Sequence, residues 1–204
     1  MITTATPLPF SQPLGDIQIL NRWIFETIGP FVKGRTLEID SGTNTLCSFF
    51  LEYNRPIHLS DINQFHVQKL RETYKDKPIV RAVHDFDFMS SDFQQSNPET
   101  LNVFDTVVAL SYPAAGFEKM VENIKYVLRK GGVLIILLPI YTSIYHGLDQ
   151  NLDDWKRYNA KPIERILMFN FSMLKVRYLN LPPDAIADRL RNFGLSALLT
   201  VRKN

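Results

Sequence analysis

One cysteine, no basic run and no apolar stretch long enough to span a bilayer: these shortages narrow the field before any motif is read. Cys47 alone permits no internal disulfide and no cysteine-based metal site. Within a predicted helix it reads as a small buried residue. The formal net charge is only +2, so nucleic acid is not expected as a bulk electrostatic partner. The most apolar run, Val133–Pro139, is far too short for a bilayer, and no membrane insertion is expected. MITTATPLPF lacks a positive n-region followed by an apolar h-region, which leaves a cytoplasmic protein as the expectation. His58, His66, His84 and His146 show no metal-ligand spacing, so no metal is expected. No serine or cysteine sits in a nucleophile elbow, and no Walker lysine follows the glycine turn. Acyl and phosphoryl transfer thereby lose their main support.

What is present is an alternation of short apolar runs with amphipathic ones. At 204 residues the chain suits one domain with a sizeable core. Residues 1–15 contain three prolines and read as an extended arm before a domain over 16–204. From Asp16, a plausible N-cap, the spacing Ile17, Leu20, Trp23, Ile24, Ile28 predicts a helix. Strands are predicted at Leu37–Asp40, Pro56–Asp61, Ile79–His84, Phe104–Leu110 and Val133–Pro139. Helices are predicted between them at Thr43–Glu52, Asn63–Tyr74 and Phe117–Leu128, the last stopped by a glycine cap at Lys130-Gly131-Gly132. In the second of these, Phe65, Val67 and Leu70 are expected to be the apolar positions. Near-continuous apolarity in Phe104–Leu110 predicts cover on both faces. Helices near Pro162–Asn170 and Asp184–Asn192 and strands at Leu174–Leu179 and Leu195–Val201 complete the tail. Such alternation predicts βαβ units and a largely parallel sheet.

The chemistry concentrates after the first strand. In Glu38-Ile39-Asp40-Ser41-Gly42-Thr43-Asn44 a strand ends, turns through one glycine and enters an apolar run. Ligands of doubly wound sheets bind beyond the carboxyl ends of the strands, where such a turn lies. Gly42 is expected to supply positive φ and close backbone approach. Asn44 tolerates a left-handed conformation, whereas Asp40 there costs roughly 1–2 kcal/mol. The same residues also suit a plain strand–turn–helix junction. About twenty residues on, Asp61 ends the second strand. Its carboxylate can accept two bonds from a ribose cis-diol, or can instead cap the following helix. Asp85, ending the third strand in VHDFDF, can accept from an adenine amine while Phe86 packs on the ring, or be a solvated loop acid. Asp149, Asp154, Trp155, Lys156, Arg157 and Tyr158 overhang the crevice or form a solvated charged loop.

These motifs, in this order, resemble a bacterial family of class I S-adenosylmethionine-dependent methyltransferases associated with glycosyltransferases. The likeness runs through NRWIFETIGPF, LEIDSGTNT, LSDI, HDFDF, FDTVVAL, LRKGGVLIILLP and PIYTSIYHGLDQNLDDWKRY, and on through Tyr178-Leu179-Asn180 and the C-terminal strand. The chain departs from it at Asp40 and Asn44, which replace glycines, and at Pro113-Ala114-Ala115-Gly116, which replaces a leucine-glutamate-histidine-isoleucine run. Asp153-Asp154 replaces a glycine-histidine, and the stretch from Asn180 to Gly194 is shorter.

The resemblance implies a single α/β domain, a doubly wound, mostly parallel seven-stranded sheet of the Rossmann-like methyltransferase type with an antiparallel last strand. It implies S-adenosyl-L-methionine as cofactor and methyl transfer to a small-molecule or glycan acceptor. The cofactor would be held by Glu38, Asp40, Ser41, Gly42, Asn44, Asp61, Ile62, Asp85, Phe86 and Leu110. Tyr112, Tyr141, Tyr145 and Asp149 would line the acceptor side, and Asp154, Arg157 and Tyr158 would act on the acceptor. Methyl transfer asks chiefly for alignment and exclusion of water, with a base only if the acceptor must lose a proton. The replaced glycines equally suit a catalytically degenerate relative acting as a binding or scaffold partner. A nicotinamide dehydrogenase is disfavoured because its turn needs further glycines. The sequence leaves the acceptor and the oligomeric state open.

Overall fold

The computed structural model describes residues 13–42, 45–110, 116–139, 160–180 and 195–204. Helix α1 (Pro13–Ile28) is followed by β1 (Thr36–Ile39), α2 (Cys47–Glu52), β2 (Ile57–Ser60), α3 (Gln64–Tyr74) and β3 (Val80–His84). A short helix α4 (Phe93–Ser96) leads into β4 (Phe104–Ala109), α5 (Phe117–Val127), β5 (Leu128–Pro139), α6 (Ala160–Asn170), β6 (Phe171–Asn180) and β7 (Leu195–Lys203). The strands form one seven-stranded sheet in the order β3-β2-β1-β4-β5-β7-β6. β1 to β5 pair in parallel, while β7 runs antiparallel to both β5 and β6. The expected doubly wound architecture with one reversed strand is what the chain adopts. Strand order turns around between β1 and β4, and that reversal opens a crevice at the carboxyl ends of the strands.

Each face of the sheet has its own core. On one face Leu37, Val107, Leu134 and Ile136 pack with α5 and Leu167. On the other, Ile57, Leu59, Val108, Ile135 and Leu137 pack with α1, α2 and Leu70. Buried residues of α5 (Phe117, Met120, Val121, Ile124 and Val127) follow helical spacing. Burying each of these large side chains contributes about 1.5–3 kcal/mol. Strand β4 is covered on both faces, as its apolar run predicts. No described helix is long and apolar enough to cross a membrane.

Several boundaries differ for physical reasons. Helix α1 begins at Pro13 rather than Asp16, because a first-turn proline lacks only an N–H that has no helical partner anyway. α2 begins at Cys47 rather than Thr43, since Glu38 takes the Leu46 N–H. Asn63 caps α3 by accepting from the Phe65 N–H at 3.0 Å. Phe65 is 69% exposed, not part of the buried face: it lies about 200° round the helix from Val67. Within the polar loop Ser90–Glu99 the chain forms α4 and the start of a 3₁₀ turn, with Phe93 buried. α5 ends at Val127, and Gly131 (φ 73°) sits in β5 rather than capping a helix. The pairing of β4 with β5 is irregular there, between Phe104 and Thr106. The helix predicted at Asp184–Asn192 lies outside the described residues.

Candidate functional site

The crevice beyond β1, β2 and β3 is a cavity of about 110 Å³ lined by Ile39, Asp40, Asp61, Ile62, Phe86, Asp87, Phe88, Met89 and Met120. Four of the residues expected to hold a cofactor therefore meet here: Asp40, Asp61, Ile62 and Phe86. Ile62 is half exposed at its rim, and Phe86 is nearly buried, stacked on His84 with ring centroids 4.4 Å apart.

Asp61 is 2% exposed, and both oxygens of its carboxylate are engaged by neighbours. Oδ2 accepts from the Gly42 N–H at 2.9 Å and lies 3.2 Å from His66 Nδ1. Oδ1 accepts from the Asn63 N–H at 2.8 Å. Each oxygen offers two lone pairs, so with His66 donating only one acceptor position remains. Gripping a cis-diol takes two.

The turn after β1 is built differently from its sequence-based reading. The positive φ belongs to Asp40, at 60°, and not to Gly42. Gly42 is required by close approach instead: a Cβ there would lie 2.3 Å from His66 Cβ. The glycine packs on a protein side chain where a ligand was anticipated. Ser41 is buried and continues the β1–β2 pairing through its N–H to the Ser60 carbonyl, while its hydroxyl donates to the Glu38 carbonyl.

Glu38 does not line the crevice. Fully buried, it holds the far side of the turn, with Oε1 accepting from the Leu46 N–H at 2.7 Å and Oε2 bonded to the Thr45 hydroxyl at 2.5 Å. Burial pushes its carboxyl up to about 7, against the opposing pull of these bonds. Cys47, next along, is buried as expected; burial and the Glu38 charge push its thiol up to about 12.

The remaining expected site residues fall elsewhere. Asp85 is exposed, 3.4 Å from Gln64 Nε2. Leu110 is buried in the core on the α1–α3 face. Asn44, Tyr112, Tyr141, Tyr145, Asp149, Asp154, Arg157 and Tyr158 lie outside the described residues. Sequence reasoning missed His66, Asp87, Met89 and Met120. For His66 a signal existed: it stands in the first turn of the helix that follows the strand-end acid. Asp87, whose carboxylate accepts the Met89 N–H at 2.9 Å, was visible only as a neighbour of Asp85. Among the described residues no cluster of histidine, cysteine, aspartate and glutamate could hold a metal.

In donor type and placement these residues suit the adenosyl end of S-adenosyl-L-methionine: an acid at the end of β2 and an aromatic ring beyond β3. In volume they do not, since small-molecule sites run from about 300 Å³ upward. Gripping a cis-diol there requires Asp61 to be released by one of its three internal partners, Gly42, Asn63 or His66.

No family model matches the chain, and no curated protein matches its sequence. Solved structures do match it. The N-methyltransferase NodS from Bradyrhizobium japonicum WM9 is 13% identical with a TM-score of 0.63, covering 91% of this chain and 95% of its own. An S-adenosylmethionine-dependent methyltransferase from Methanosarcina mazei is 12% identical with a TM-score of 0.63, covering 87% of this chain and 96% of its own. The [4+2]-cyclase SpnF is 15% identical with a TM-score of 0.67, covering 90% of this chain and 80% of its own. Identities this low establish the fold, and a cyclase beside two methyltransferases illustrates that one fold serves more than one chemistry. The chain has the Rossmann-like fold of class I methyltransferases.

Proposed function

We propose that this protein transfers a methyl group from S-adenosyl-L-methionine to a small-molecule or glycan acceptor. One observation carries the reading: Asp61, at the carboxyl end of β2, faces the crevice beside the reversal of strand order and abuts the turn that follows β1. That is where a carboxylate can take ribose hydroxyls once one of its internal partners releases it. The methyltransferases among the fold neighbours support the same cofactor class. In this reading Phe86 flanks the adenine. Tyr112, Tyr141, Tyr145 and Asp149 face the acceptor, and Asp154, Arg157 and Tyr158 orient it and manage its proton.

A second reading, a fold relative that binds a partner without the cofactor, is favoured by the three internal donors already on the Asp61 carboxylate and by the small crevice. Calorimetry with S-adenosylhomocysteine separates the two. Methyl transfer requires saturable heat with the wild-type protein, lost in Asp61→Ala and retained or strengthened in His66→Ala, which removes a competitor for Oδ2. Heat from neither the wild type nor His66→Ala would leave only the second reading standing.

A further inference from the structure

At the opposite end of β1, β2 and β3 from the crevice lies a larger cavity, about 400 Å³, bordered by Arg35, His58 and Arg81 among others. From the two arginines and one histidine that line it together, we infer that this cavity is a binding site for a phosphomonoester of a small polar molecule. It is independent of the methyl-transfer reading.

Each cation is placed by the backbone. Arg35 precedes β1, where its N–H donates to the Asp105 carboxylate at 2.8 Å and its carbonyl accepts from the Asp105 and Thr106 N–H groups. Arg81 owes its position to a bulge. Ile57 pairs with Val80 but His58 with Ala82, so Arg81 is the extra residue of β3. Val80 and Val83, three apart and on opposite faces of a regular strand, both pack on the α1–α3 side. The bulge absorbs the difference and delivers Arg81 beside His58, the re-aiming for which bulges at sheet edges are known.

No acid among the described residues is paired with either guanidinium. Among the described residues neither the Arg35 nor the Arg81 guanidinium has a hydrogen bond or an ion pair. Asp105 has its carboxylate on the Arg35 N–H and on the Arg129 guanidinium at 3.3 Å. His58 joins its Nδ1 to His84 Nε2 at 3.1 Å, and its Nε2 has no partner among the described residues. In the tautomer in which His84 Nε2–H donates to Nδ1, His58 carries its proton on Nε2 and can donate it to an anion. Burial, His84 and then the two arginine charges hold His58 down to about 4, consistent with a positive potential at the cavity. Two arginine forks and an N–H donor match the oxygens of a phosphate. The volume exceeds what a bare anion fills, which points to an ester.

Inorganic phosphate and glucose 1-phosphate, titrated separately into the full chain, test the site. Imidazole NMR signals of His58 and His84 and calorimetric heats are the readouts. The expected result is saturable shifts at His58, with affinity weakened roughly tenfold or more in Arg81→Gln and in Arg35→Gln. Both positions are exposed, so both variants keep the fold, which the dispersion of the histidine signals verifies. Tighter binding of the sugar phosphate identifies the ester as the ligand, and equal binding identifies the free anion. No saturable shift at His58 with either probe, or unchanged affinity in both variants, overturns the inference.

Discussion

A Cβ on Gly42 would meet His66 Cβ at 2.3 Å, Cγ at 2.4 Å and Nδ1 at 2.6 Å. None of these atoms can yield without pulling His66 away from Asp61, to which it is bonded. Gly42→Ala is therefore an overpacking substitution, expected to cost about 1–3 kcal/mol. In a His66→Gly background, which lacks the Cβ that an alanine at 42 would strike, Gly42→Ala should cost far less, since the clash needs both partners. Urea denaturation of the four proteins of this cycle checks it; an equal cost of Gly42→Ala in both backgrounds would mean that the turn does not rest on His66. At this scale the sequence reading selected the right glycine for the wrong reason. A lone glycine after a strand is visible in one dimension, but the histidine packed against it comes from the next helix and depends on how β2 and α3 are joined. Asp40 shows the reverse: an acid where glycine was wanted was noted, and its φ of 60° is the strain that substitution implied.

Among the elements, the junction of α5 with β5 depends on the chain's C-terminal strand. Lys203 Nζ donates to the Lys125 and Leu128 carbonyls and to Asn102 Oδ1, at 2.7, 2.5 and 2.9 Å. The last carbonyls of a helix have no partner within it; here a cation from β7 takes that of Lys125 while the Asn102 and Val103 N–H groups take those of Tyr126 and Val127, in place of the glycine cap that Gly131-Gly132 suggested. Lys203→Met should cost about 2 kcal/mol, the scale of bonds to a charged group, and amides at the end of α5 should lose protection from hydrogen exchange. Loss of stability without local deprotection would argue against this tie. Such a cap is illegible in sequence because its donor lies dozens of residues beyond the helix it finishes. Element types were legible wherever apolar runs were long, as in β4, β5 and α5. The β3 bulge was not, because Val80, Arg81 and Ala82 reveal their register only against β2.

For the whole molecule, the alternating pattern specified the largely parallel sheet, whereas the doubly wound arrangement with a reversed last strand came from the resemblance, and the sheet has both. The site was legible as a location, since the acid and the turn do meet. It was not legible as an arrangement, because Asp61 and its three internal donors come from different segments. The packed sheet also fixes how stability responds to pH, through a buried carboxyl and two half-buried imidazoles. Glu38 has its carboxyl raised from 4.5 to about 7. Between those values the folded state holds the proton more tightly, so its contribution is complete below about 4.5 and is lost as pH rises to about 7. His58 is lowered from 6.5 to about 4, and His84 is lowered as well. The His58 contribution is complete above 6.5 and is lost as pH falls towards about 4, and that of His84 is lost in the same direction. The slopes oppose each other across the shared window, and the wild-type stability should change little there. Glu38→Gln keeps a neutral partner for Leu46 and Thr45 but cannot titrate. The variant should gain stability relative to wild type near pH 7, on the order of 3 kcal/mol, and should then weaken steadily as pH falls from 6.5 to 4. Denaturation curves of both proteins across this range decide the matter: parallel pH profiles would mean that Glu38 is already ionised in its pocket, and that the clasp on Thr45 and Leu46 holds a charge instead of a proton.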